Sequence, residues 1–430
     1  MAFSGGMDSV VLLHSLHRLA KQQQLPAALA ALHINHQINP QAMPWQRFCA
    51  EFCEQRQIPF DVMTIKVDGC EASGLEERAR EARYAAFEQW LEDDDLLLMA
   101  HHLDDQLENL LLRLSRGAGP GGLAGMPAFR RLGRGALVRP LLNWSRPQLL
   151  SFAQAEGLSW VDDDSNADVR FDRNFLRHWV MPVIAQRWPD YRESWQKSRQ
   201  LCQEADQLLT VLARQDLDLL VTDNPAVISL SPMQHWDAPR QRNLLRYWLG
   251  SLGAPEPGWH LLRRLTDEVI TARKDAAGVL SWQGLRVQRY RQQLHALRET
   301  GLPLVSAIAW DPQLQSDLEL PGNGSLRCLA TGERLSLVPG DTLTVAYRQG
   351  GERCRLRGRP EKSVKRLLQE AGVAPWLRDR YPLLYLGDEL VCLPGIGVAA
   401  ARGTQDAAGI AVQWTAPVLH YGGESEDQTG

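Results

Sequence analysis

A short glycine-bearing string near the start of the chain has the residue types of a phosphate-binding loop. Ser4–Ser9 reads SGGMDS and lies between a strand end and the start of a helix. Adjacent glycines let backbone N–H groups turn toward an anion, the helix N-terminus adds partial positive charge, and serine hydroxyls can donate to phosphate oxygens. A plain strand–helix turn capped by Ser4 is the alternative, but the alternating strand–helix context favours nucleotide binding. The residues predicted to bind the nucleotide here are Ser4, Gly5, Gly6, Met7, Asp8 and Ser9.

A second cluster combines two histidines with three acids. His101–Asn109 reads HHLDDQLEN, with Asp104 and Glu108 one helical turn apart and Asp105 three residues before Glu108. Either pair shares a helix face and can hold a cationic amine or Mg²⁺, while the histidines can contact phosphate or donate protons. N-capping of the helix by Asp104 explains part of the pattern but not all of it. Zinc is disfavoured because HHxDDxxE is not HExxH and no cysteine is near.

These two clusters need a scaffold that brings them together, and residues 1–190 predict one. Apolar strand-like runs alternate with amphipathic helices, which is typical of a parallel sheet covered by helices on both faces. The run Leu96–Ala100 ends directly before His101, so the second cluster lies at the carboxyl end of a strand, where open α/β sheets bind ligands. We predict an α/β fold with a parallel sheet of about five strands. A buried strand is expected before Ser4, and Met1–Phe3 alone precede it.

Composition and charge set wider limits on the class of protein. The chain has 430 residues, of which 44 % are hydrophobic, and a formal net charge of −4. This composition excludes a disordered chain, and no apolar run reaches the roughly 18–20 residues of a membrane span. The seven scattered cysteines do not form a disulfide framework, and no signal peptide is visible, so we expect a cytoplasmic protein. Because the net charge is mild, any nucleic-acid binding must come from local patches.

Longer strings carry a resemblance to a known family. SGGMDS resembles the loop of pyrophosphate-loop ATPases, which split ATP between its α and β phosphates. The strings that narrow the resemblance are AHHLDDQLENLLLRLSRG (100–117), GGLAGM (121–126), RPLL (139–142), DDSNADVRFDRNFLRH (163–178), LHINH (32–36) and EERAREARYAAF (76–87). Together they resemble the tRNA(Ile)-lysidine synthase family over most of residues 1–180. The downstream regions resemble the family's substrate-binding and RNA-binding domains through weaker motifs.

This resemblance, with shifts in composition, predicts the domain limits. Residues 1–190 form a pyrophosphate-loop catalytic domain of the adenine nucleotide α-hydrolase type, and residues 191–225 a helical linker. Two smaller α/β or α+β domains follow, a substrate-binding middle domain over 226–310 and an RNA-binding C-terminal domain over 325–417. Residues 422–430 are polar, and we expect a disordered tail.

The resemblance implies an ATP- and Mg²⁺-dependent ligation in two steps. The C2 oxygen of the wobble cytidine of tRNA(Ile) with a CAU anticodon would first be adenylylated, with release of pyrophosphate. The ε-amine of L-lysine would then attack C2 and expel AMP, giving lysidine. Because the attacking amine must be neutral, a side chain has to accept its proton.

The same resemblance assigns roles to particular residues. Ser4–Ser9 would hold the phosphates, and His33 would border the adenine. Asp105 and Glu108 would bind the lysine ammonium. The catalytic residues would be Asp8, His102 and Asp104. Asp8 would position the Mg²⁺ that accompanies ATP, without a protein cage of metal ligands, or act near the reacting base, and His102 or Asp104 would accept the proton.

Three groups of basic residues are predicted to contact RNA. The first is on the helix over 76–91, where a solvated salt-bridged face is the alternative. The second follows an acidic turn, with ion pairing to Asp162–Asp164 as the alternative. The third belongs to the stretch 348–366, in which eight basic and two acidic residues leave a charge of +6 and alternate arginines would share a strand face. The candidates are Arg80 and Arg83; Arg173, Asn174 and Arg177; and Arg355, Arg357, Lys362, Lys365 and Arg366.

Competing functions share parts of this pattern. A sulfur-inserting tRNA enzyme would carry SGGxDS but also cysteine pairs, and no CxxC occurs in the sequence. A small-molecule amide synthetase would not need the basic C-terminal stretch. A non-catalytic RNA-binding relative would not need intact SGGMDS and HHLDDQLEN strings. The sequence leaves the oligomeric state open between monomer and homodimer.

Overall fold

The computed structural model describes residues 1–25, 27–35, 41–65, 75–162, 168–271, 278–299, 304, 307–404, 406 and 409–421. The chain divides into two compact units, Met1–Leu208 and Leu209–Gly430, and the division falls inside the predicted helical linker. The tail predicted over 422–430 lies outside the described residues. None of the described helices combines the length and apolarity that a membrane span requires.

The first unit alternates strands and helices, as predicted. Its strands are β1 (Ala31–Asn35), β2 (Phe60–Thr64), β3 (Leu96–Leu98), β4 (Phe129–Leu132) and β5 (Gly135–Val138). Its helices are α1 (Met7–Lys21), α2 (Ala42–Glu54), α3 (Leu75–Trp90), α4 (Leu103–Ser115), α5 (Pro120–Leu123), α6 (Arg146–Ala155), α7 (Asp172–Phe175) and α8 (Met181–Arg187). A π-helical turn, Leu176–Val180, joins α7 to α8, and the long helix α9 (Tyr191–Asp218) includes the division between the units.

The segment Met1–Phe3 lies inside the sheet of the first unit. β1 pairs with β2 and β3 pairs with β5, both in parallel. Phe3 N donates to Leu32 O of β1 (2.8 Å), and Ala2 N donates to Leu98 O of β3 (3.0 Å), so this short segment joins the two pairs. The order is β2, β1, Met1–Phe3, β3, β5, β4. The predicted α/β fold is confirmed, and the segment occupies the place of the strand expected before Ser4.

β4 departs from the parallel arrangement. It pairs antiparallel with β5, starting from the pair Leu132 and Gly135. Gly133 and Arg134 alone separate the two strands, and Gly133 has a φ of +53°. A connection of two residues can only form a hairpin, since a parallel crossover needs a dozen residues or more.

Helices cover both faces of this sheet. α1, α2 and α6 bury apolar side chains such as Val10, Phe52 and Leu149 in one core cluster. α3 buries Phe87 in a second cluster, together with Leu97 of β3. The predicted two-faced covering is therefore confirmed.

The second unit is rich in antiparallel strands. Its helices are α10 (Ala238–Ser251), α11 (Trp259–Arg264), α12 (Val364–Glu370) and α13 (Pro375–Arg378), with a 3₁₀ turn at Met233–His235 and a π-helical turn at Leu265–Ile270. Its first strands are β6 (Val227–Ser229), β7 (Val279–Trp282), β8 (Leu285–Tyr290) and β9 (Gln293–Arg298), which form a sheet in the order β6, β9, β8, β7. This sheet shares a core with α10 and α11.

The later strands form a second group. They are β10 (Ile308–Trp310), β11 (Asp317–Glu319), β12 (Ser325–Leu329), β13 (Arg334–Leu335), β14 (Leu343–Tyr347), β15 (Arg353–Cys354), β16 (Lys362–Ser363), β17 (Pro382–Leu386), β18 (Glu389–Leu393), β19 (Gly397–Val398), β20 (Gly403–Thr404) and β21 (Ala411–Thr415). Their sheets run in the orders β10, β14, β17, β18, β19 and β11, β12, β21, with the short pairs β13–β20 and β15–β16. These sheets have core clusters of their own.

A segment after β21 returns to the earlier sheet of this unit. His420 bridges Leu297 of β9 in antiparallel fashion. Arg298 N donates to Leu419 O (2.7 Å), and Tyr421 N donates to Ala296 O (2.9 Å). Residues 419–421 therefore extend the β6–β9 sheet.

Candidate active site

The SGGMDS string forms the turn that enters α1. Gly6 is the N-cap of α1, and Gly5 has a φ of +83°. A Cβ at Gly5 would lie 2.9 Å from Cys49 Sγ, so backbone angle and packing both require glycine there. Ser9 Oγ donates to Gly6 O (2.8 Å), and Ser4 Oγ donates to Ser9 Oγ (3.1 Å). The loop is preformed at the N-terminus of a helix, where backbone N–H groups favour an anion.

His102, and not Asp104, caps α4. Its Nδ1 accepts a hydrogen bond from Asp105 N (3.3 Å), and Asp105 Oδ2 accepts one from His102 N (3.0 Å). Helix α4 therefore begins at Leu103, before the start predicted at Asp104. Because Nδ1 accepts, the neutral ring carries its proton on Nε2, which lies 3.5 Å from Asp105 Oδ2 and 3.6 Å from Asp8 Oδ2. The imidazole thus links the phosphate loop to the acidic cluster.

Asp8 presents a carboxylate oxygen that other side chains leave unused. Burial raises the pKa of Asp8, and the neighbouring His102 opposes part of that rise. Asp8 Oδ1 is buried and accepts no hydrogen bond from the described residues. An unpaired buried oxygen of this kind suits a cation or a proton, so the residue fits Mg²⁺ bound with a nucleotide.

Two arginines cover the carboxylates that the sequence predicts as the lysine site. Arg177 donates from Nε to Glu108 Oε1 (2.8 Å) and from its terminal nitrogen to Oε2 (2.9 Å). Arg173 Nε donates to the same Oε2 (3.0 Å), and Arg177 also reaches Asp105 Oδ1 (3.3 Å). Burial would raise the pKa of Asp105, but His102 and Arg173 lower it below its usual range. Asp105 is therefore held ionised.

This pairing differs from both sequence-based interpretations of Arg173 and Arg177. They are half-buried, and the acidic partners that the described residues provide are Asp105 and Glu108. The turn itself is described only at Asp162, which accepts a hydrogen bond from its neighbour Trp160 (3.1 Å). The reason is geometric, since α7 and the π-helical turn bring their arginines over the acidic face of α4.

Asp104 is held separately, at the wall of a cavity. Arg192 Nε donates to Asp104 Oδ1 (2.8 Å), and Arg146 N donates to Oδ2 (2.7 Å). The adjacent cavity has a volume of about 300 Å³ and combines carboxylates, guanidiniums and apolar walls. Its lining residues are Asp104, Glu108, Arg146, Pro147, Leu150, Arg177, Met181, Pro182, Ala185, Tyr191 and Arg192.

Two further residues predicted at the nucleotide site are buried. His33 Nδ1 lies 2.9 Å from Phe3 O, which places its ring beside the start of the phosphate loop. Burial lowers the pKa of His33, so the ring is neutral at pH 7. The side chain of Met7 is buried in the core cluster that α1, α2 and α6 share, so only its backbone is available to a nucleotide. His36, the last residue of the LHINH string, lies outside the described residues.

The other residues of the first unit that are predicted to contact RNA differ in their exposure to solvent. Arg80 is exposed on α3, with its guanidinium 5.4 Å from the ring centre of Tyr84. Arg83 is half-buried on the same helix. Asn174 is buried, and its Nδ2 donates to Asp168 O (2.9 Å), so it orders the turn before α7.

Sequence reasoning missed two buried residues that fix the surroundings of the acidic cluster. Gln106 exchanges two hydrogen bonds of 2.7 Å with the backbone of Met126, at the end of the GGLAGM string. Arg139, which opens the RPLL string, donates to His101 Nδ1 (3.2 Å) and to Pro127 O (2.7 Å). Each of the two residues lies inside a string that resembles the family, and this was the one sign of their importance in the sequence. Their hydrogen-bond partners could not be predicted, because those partners are distant in sequence.

The basic stretch of the C-terminal domain is only partly as predicted. Arg355 and Arg357 are exposed while the residue between them is buried, so the alternation persists beyond β15. Lys362 lies on β16, directly before α12, which begins at Val364. Lys362 and Arg366 both pair with Glu370 (2.7 and 3.1 Å). Lys365 is exposed on α12, as expected for an RNA contact.

Comparisons with known proteins agree with this geometry. Three family models match the chain: the PP-loop domain over residues 1–184, the TilS substrate binding domain over 228–295 and the TilS substrate C-terminal domain over 343–414. The tRNA(Ile)-lysidine synthase of Coxiella burnetii is 39 % identical, covering 92 % of this chain and 88 % of the relative. That of Alkalilimnicola ehrlichii is 40 % identical, covering 93 % and 89 %.

The relative from Pectobacterium atrosepticum is 39 % identical over 92 % of this chain and 89 % of its own length. The resemblance noted from the short strings is therefore confirmed over more than nine tenths of the chain, in both units, and with it the prediction of an ATP-binding ligase that modifies tRNA. The chain belongs to the tRNA(Ile)-lysidine synthase family.

Proposed function

We propose that this chain joins L-lysine to C2 of the wobble cytidine of tRNA(Ile) with a CAU anticodon, at the expense of ATP. The observation that carries the proposal is the meeting of the two clusters. His102 Nε2 lies 3.6 Å from Asp8 of the phosphate loop and 3.5 Å from Asp105 of the acidic cluster. A site for a polyphosphate thus adjoins a site for a cationic amine, which is what adenylylation followed by amine attack requires.

The first step would use the phosphate loop. The C2 oxygen of cytidine attacks the α-phosphorus, and pyrophosphate leaves. The backbone N–H groups after Gly6 and the hydroxyls of Ser4 and Ser9 would bind the phosphates and the departing pyrophosphate. Mg²⁺, when bound with ATP, would neutralise charge on the phosphates. Asp8 would hold it through the free Oδ1, and no described group of three or more acidic, histidine or cysteine side chains forms a cage for it.

The second step would use the acidic cluster and its cavity. The lysine ε-nitrogen attacks C2, the C2–O bond breaks with AMP as leaving group, and the amine loses a proton. Asp105 and Glu108 would bind the ammonium before attack. The cavity beside Glu108 has apolar walls for the lysine stem, and Arg146 among its lining residues suits the α-carboxylate.

The proton has three candidate acceptors. His102 carries its own proton on Nε2 and has Nδ1 engaged, so it would first have to pass that proton on. Asp104 is engaged by Arg192 and by Arg146 N. Asp8 has one free oxygen, so it would accept the proton only where that oxygen does not hold Mg²⁺.

The tRNA would contact both units. In the C-terminal domain, proposed over 325–417, the exposed Arg355, Arg357 and Lys365 would bind the RNA backbone. In the catalytic domain, proposed over 1–190, Arg80 and Arg83 would do so. We also propose a cytoplasmic location, where tRNA, ATP and lysine are present together.

The test is incorporation of radiolabelled lysine into a tRNA(Ile) transcript with a CAU anticodon, in the presence of ATP and Mg²⁺. Elongator tRNA(Met) is the RNA control, and Asp61→Asn, an exposed acid on β2, is the protein control for Asp8→Asn. We expect label in tRNA(Ile) alone, lost with Asp8→Asn and kept with Asp61→Asn. Pyrophosphate release without lysine incorporation would point to another nucleophile and overturn the proposal.

A further inference from the structure

The carboxylates proposed for the lysine ammonium already hold two internal cations. Glu108 is 2 % exposed, and both of its oxygens accept guanidinium N–H groups from Arg173 and Arg177. Asp105 shares Arg177. Among the described residues, these two carboxylates are matched by two guanidiniums, and His102 lies 3.5 Å from Asp105 as well. A lysine ammonium added to them would be a positive charge beyond what the two carboxylates balance, which is costly beside a side chain as buried as that of Glu108.

Arg177 lies between the two halves of the site. It donates to Glu108 (2.8 Å) and to Asp105 (3.3 Å), and Asp105 in turn shares His102 with Asp8 of the phosphate loop. Burial opposes the change, but the carboxylates of Glu108, Asp105 and Asp8 raise the pKa of Arg177. It also belongs to the π-helical turn Leu176–Val180, a geometry that recurs at functional sites. A polyphosphate bound at the loop would therefore attract this guanidinium away from Glu108.

We infer that Arg173 and Arg177 are exchangeable counter-cations, which hold Asp105 and Glu108 until the lysine ammonium replaces them and which then contact the phosphates of ATP. This inference rests on the proposed lysine site. It adds that ATP and lysine bind with positive coupling. Lysine releases the two arginines from the carboxylates, and the phosphates of ATP provide new partners for those arginines. By linkage, each ligand tightens the other by the same factor.

The inference makes Arg177 an internal competitor of lysine. Replacing it with glutamine frees Glu108 for the ammonium and removes the group that responds to phosphate. The Arg177→Gln variant should thus bind lysine more tightly than the wild-type chain when no nucleotide is present. Its lysine affinity should also respond less to nucleotide.

The experiment is calorimetric titration of L-lysine into the full-length chain, with and without Mg²⁺ and α,β-methylene-ATP, whose α–β bridge cannot be cleaved. For the wild-type chain we expect the analogue to lower the lysine Kd by on the order of fivefold or more. For Arg177→Gln we expect a lower Kd without the analogue and a ratio near one. Arg170→Gln is the matched control, since Arg170 is exposed and pairs with Asp168 (2.7 Å) outside the cluster. It should behave as wild type.

Several outcomes would overturn the exchange. One is a wild-type lysine Kd that is equal with and without the analogue. Another is weaker lysine binding by a folded Arg177→Gln, with Arg173→Gln giving the same result. If lysine binds without coupling and tRNA(Ile) is still labelled, the exchange fails and the proposed function stands. If the wild-type chain binds no lysine under either condition, the lysine site fails together with the exchange.

Discussion

Asp8 combines an unsatisfied oxygen with a raised pKa, and this has opposite consequences for activity and stability. The folded state binds the Asp8 proton more tightly than the unfolded chain does, so Asp8 lowers stability as pH rises above its ordinary pKa of 3.8. We expect Asp8→Asn to be more stable than wild type at pH 7, with the difference shrinking toward acidic pH. Thermal unfolding at several pH values measures this. The prediction is contradicted if the gain in stability of Asp8→Asn over wild type is smaller at pH 7 than at pH 4.

Catalysis should respond to the same substitution in the other direction. If Asp8 binds Mg²⁺ or accepts the proton, its loss should slow lysidine formation by about 10²-fold or more. Pyrophosphate release and lysine incorporation report the two steps separately. A residual rate within a few fold of wild type would remove Asp8 from the proposed machinery.

Gly5 allows a sharp test of the phosphate loop. Gly5 and Gly117 both have positive φ, +83° and +70°, but only Gly5 has a neighbour, Cys49 Sγ, within contact of an added Cβ. Gly117→Ala should cost about 1–3 kcal/mol of stability from backbone strain alone. Gly5→Ala should cost more and should also weaken ATP binding. Equal losses of melting temperature and ATP affinity in the two variants would show that packing against Cys49 does not matter.

At the scale of elements, Gln106 ties the GGLAGM loop to α4. Its amide exchanges hydrogen bonds with both the N–H and the carbonyl of Met126. Gln106→Leu leaves two backbone groups without partners, at about 1–3 kcal/mol each where they stay buried. We expect faster amide hydrogen exchange at Met126. Gln154→Leu, at an exposed position on α6, should leave that exchange unchanged.

The same scale shows what the sequence could and could not predict. SGGMDS and HHLDDQLEN are contiguous, so their chemistry was visible without a fold, and the strand before each placed them at one edge of the sheet. The pairing of Arg177 with Glu108 joins residues 69 positions apart. Charge pattern alone does not rank such a pair above the nearer acids at 162–164. The cap by His102 was also missed, because aspartate is the commoner N-cap and Asp104 was available two residues later.

At the scale of the whole molecule, some arginines of the basic stretch are exposed and available to RNA, while others form ion pairs within the protein. Arg357 is exposed beside β15, whereas Arg353 on that strand pairs with Glu361 (2.9 Å). Arg357→Gln should raise the KM for tRNA and leave the KM for lysine unchanged. The slope of the logarithm of the tRNA binding constant against the logarithm of salt concentration should become shallower by about one. Arg353→Gln should have a smaller effect. If both substitutions change the salt dependence of tRNA binding equally, then the ion pair of Arg353 with Glu361 does not keep Arg353 from contacting RNA.

The family resemblance, with shifts in composition, indicated several domains but not which strands pair within them. The net charge of −4 gave no sign of a nucleic-acid partner, and the local patch near residue 355 carried that signal instead. Antiparallel pairing of β4 depended on a two-residue connection that no periodicity reveals. The contact of Leu297 with His420 lies equally beyond any local pattern.

That contact has a consequence for the order in which the chain is made. The sheet β6, β9, β8, β7 is encoded by residues 227–298, yet residues 419–421 pair with the end of β9. On the ribosome, this edge must wait for more than a hundred further residues to emerge, and until then β9 presents unpaired N–H and C=O groups there. Nascent chains of this protein therefore pass through a stage in which the middle of the molecule is folded but open at one edge, where chaperones or neighbouring chains can bind.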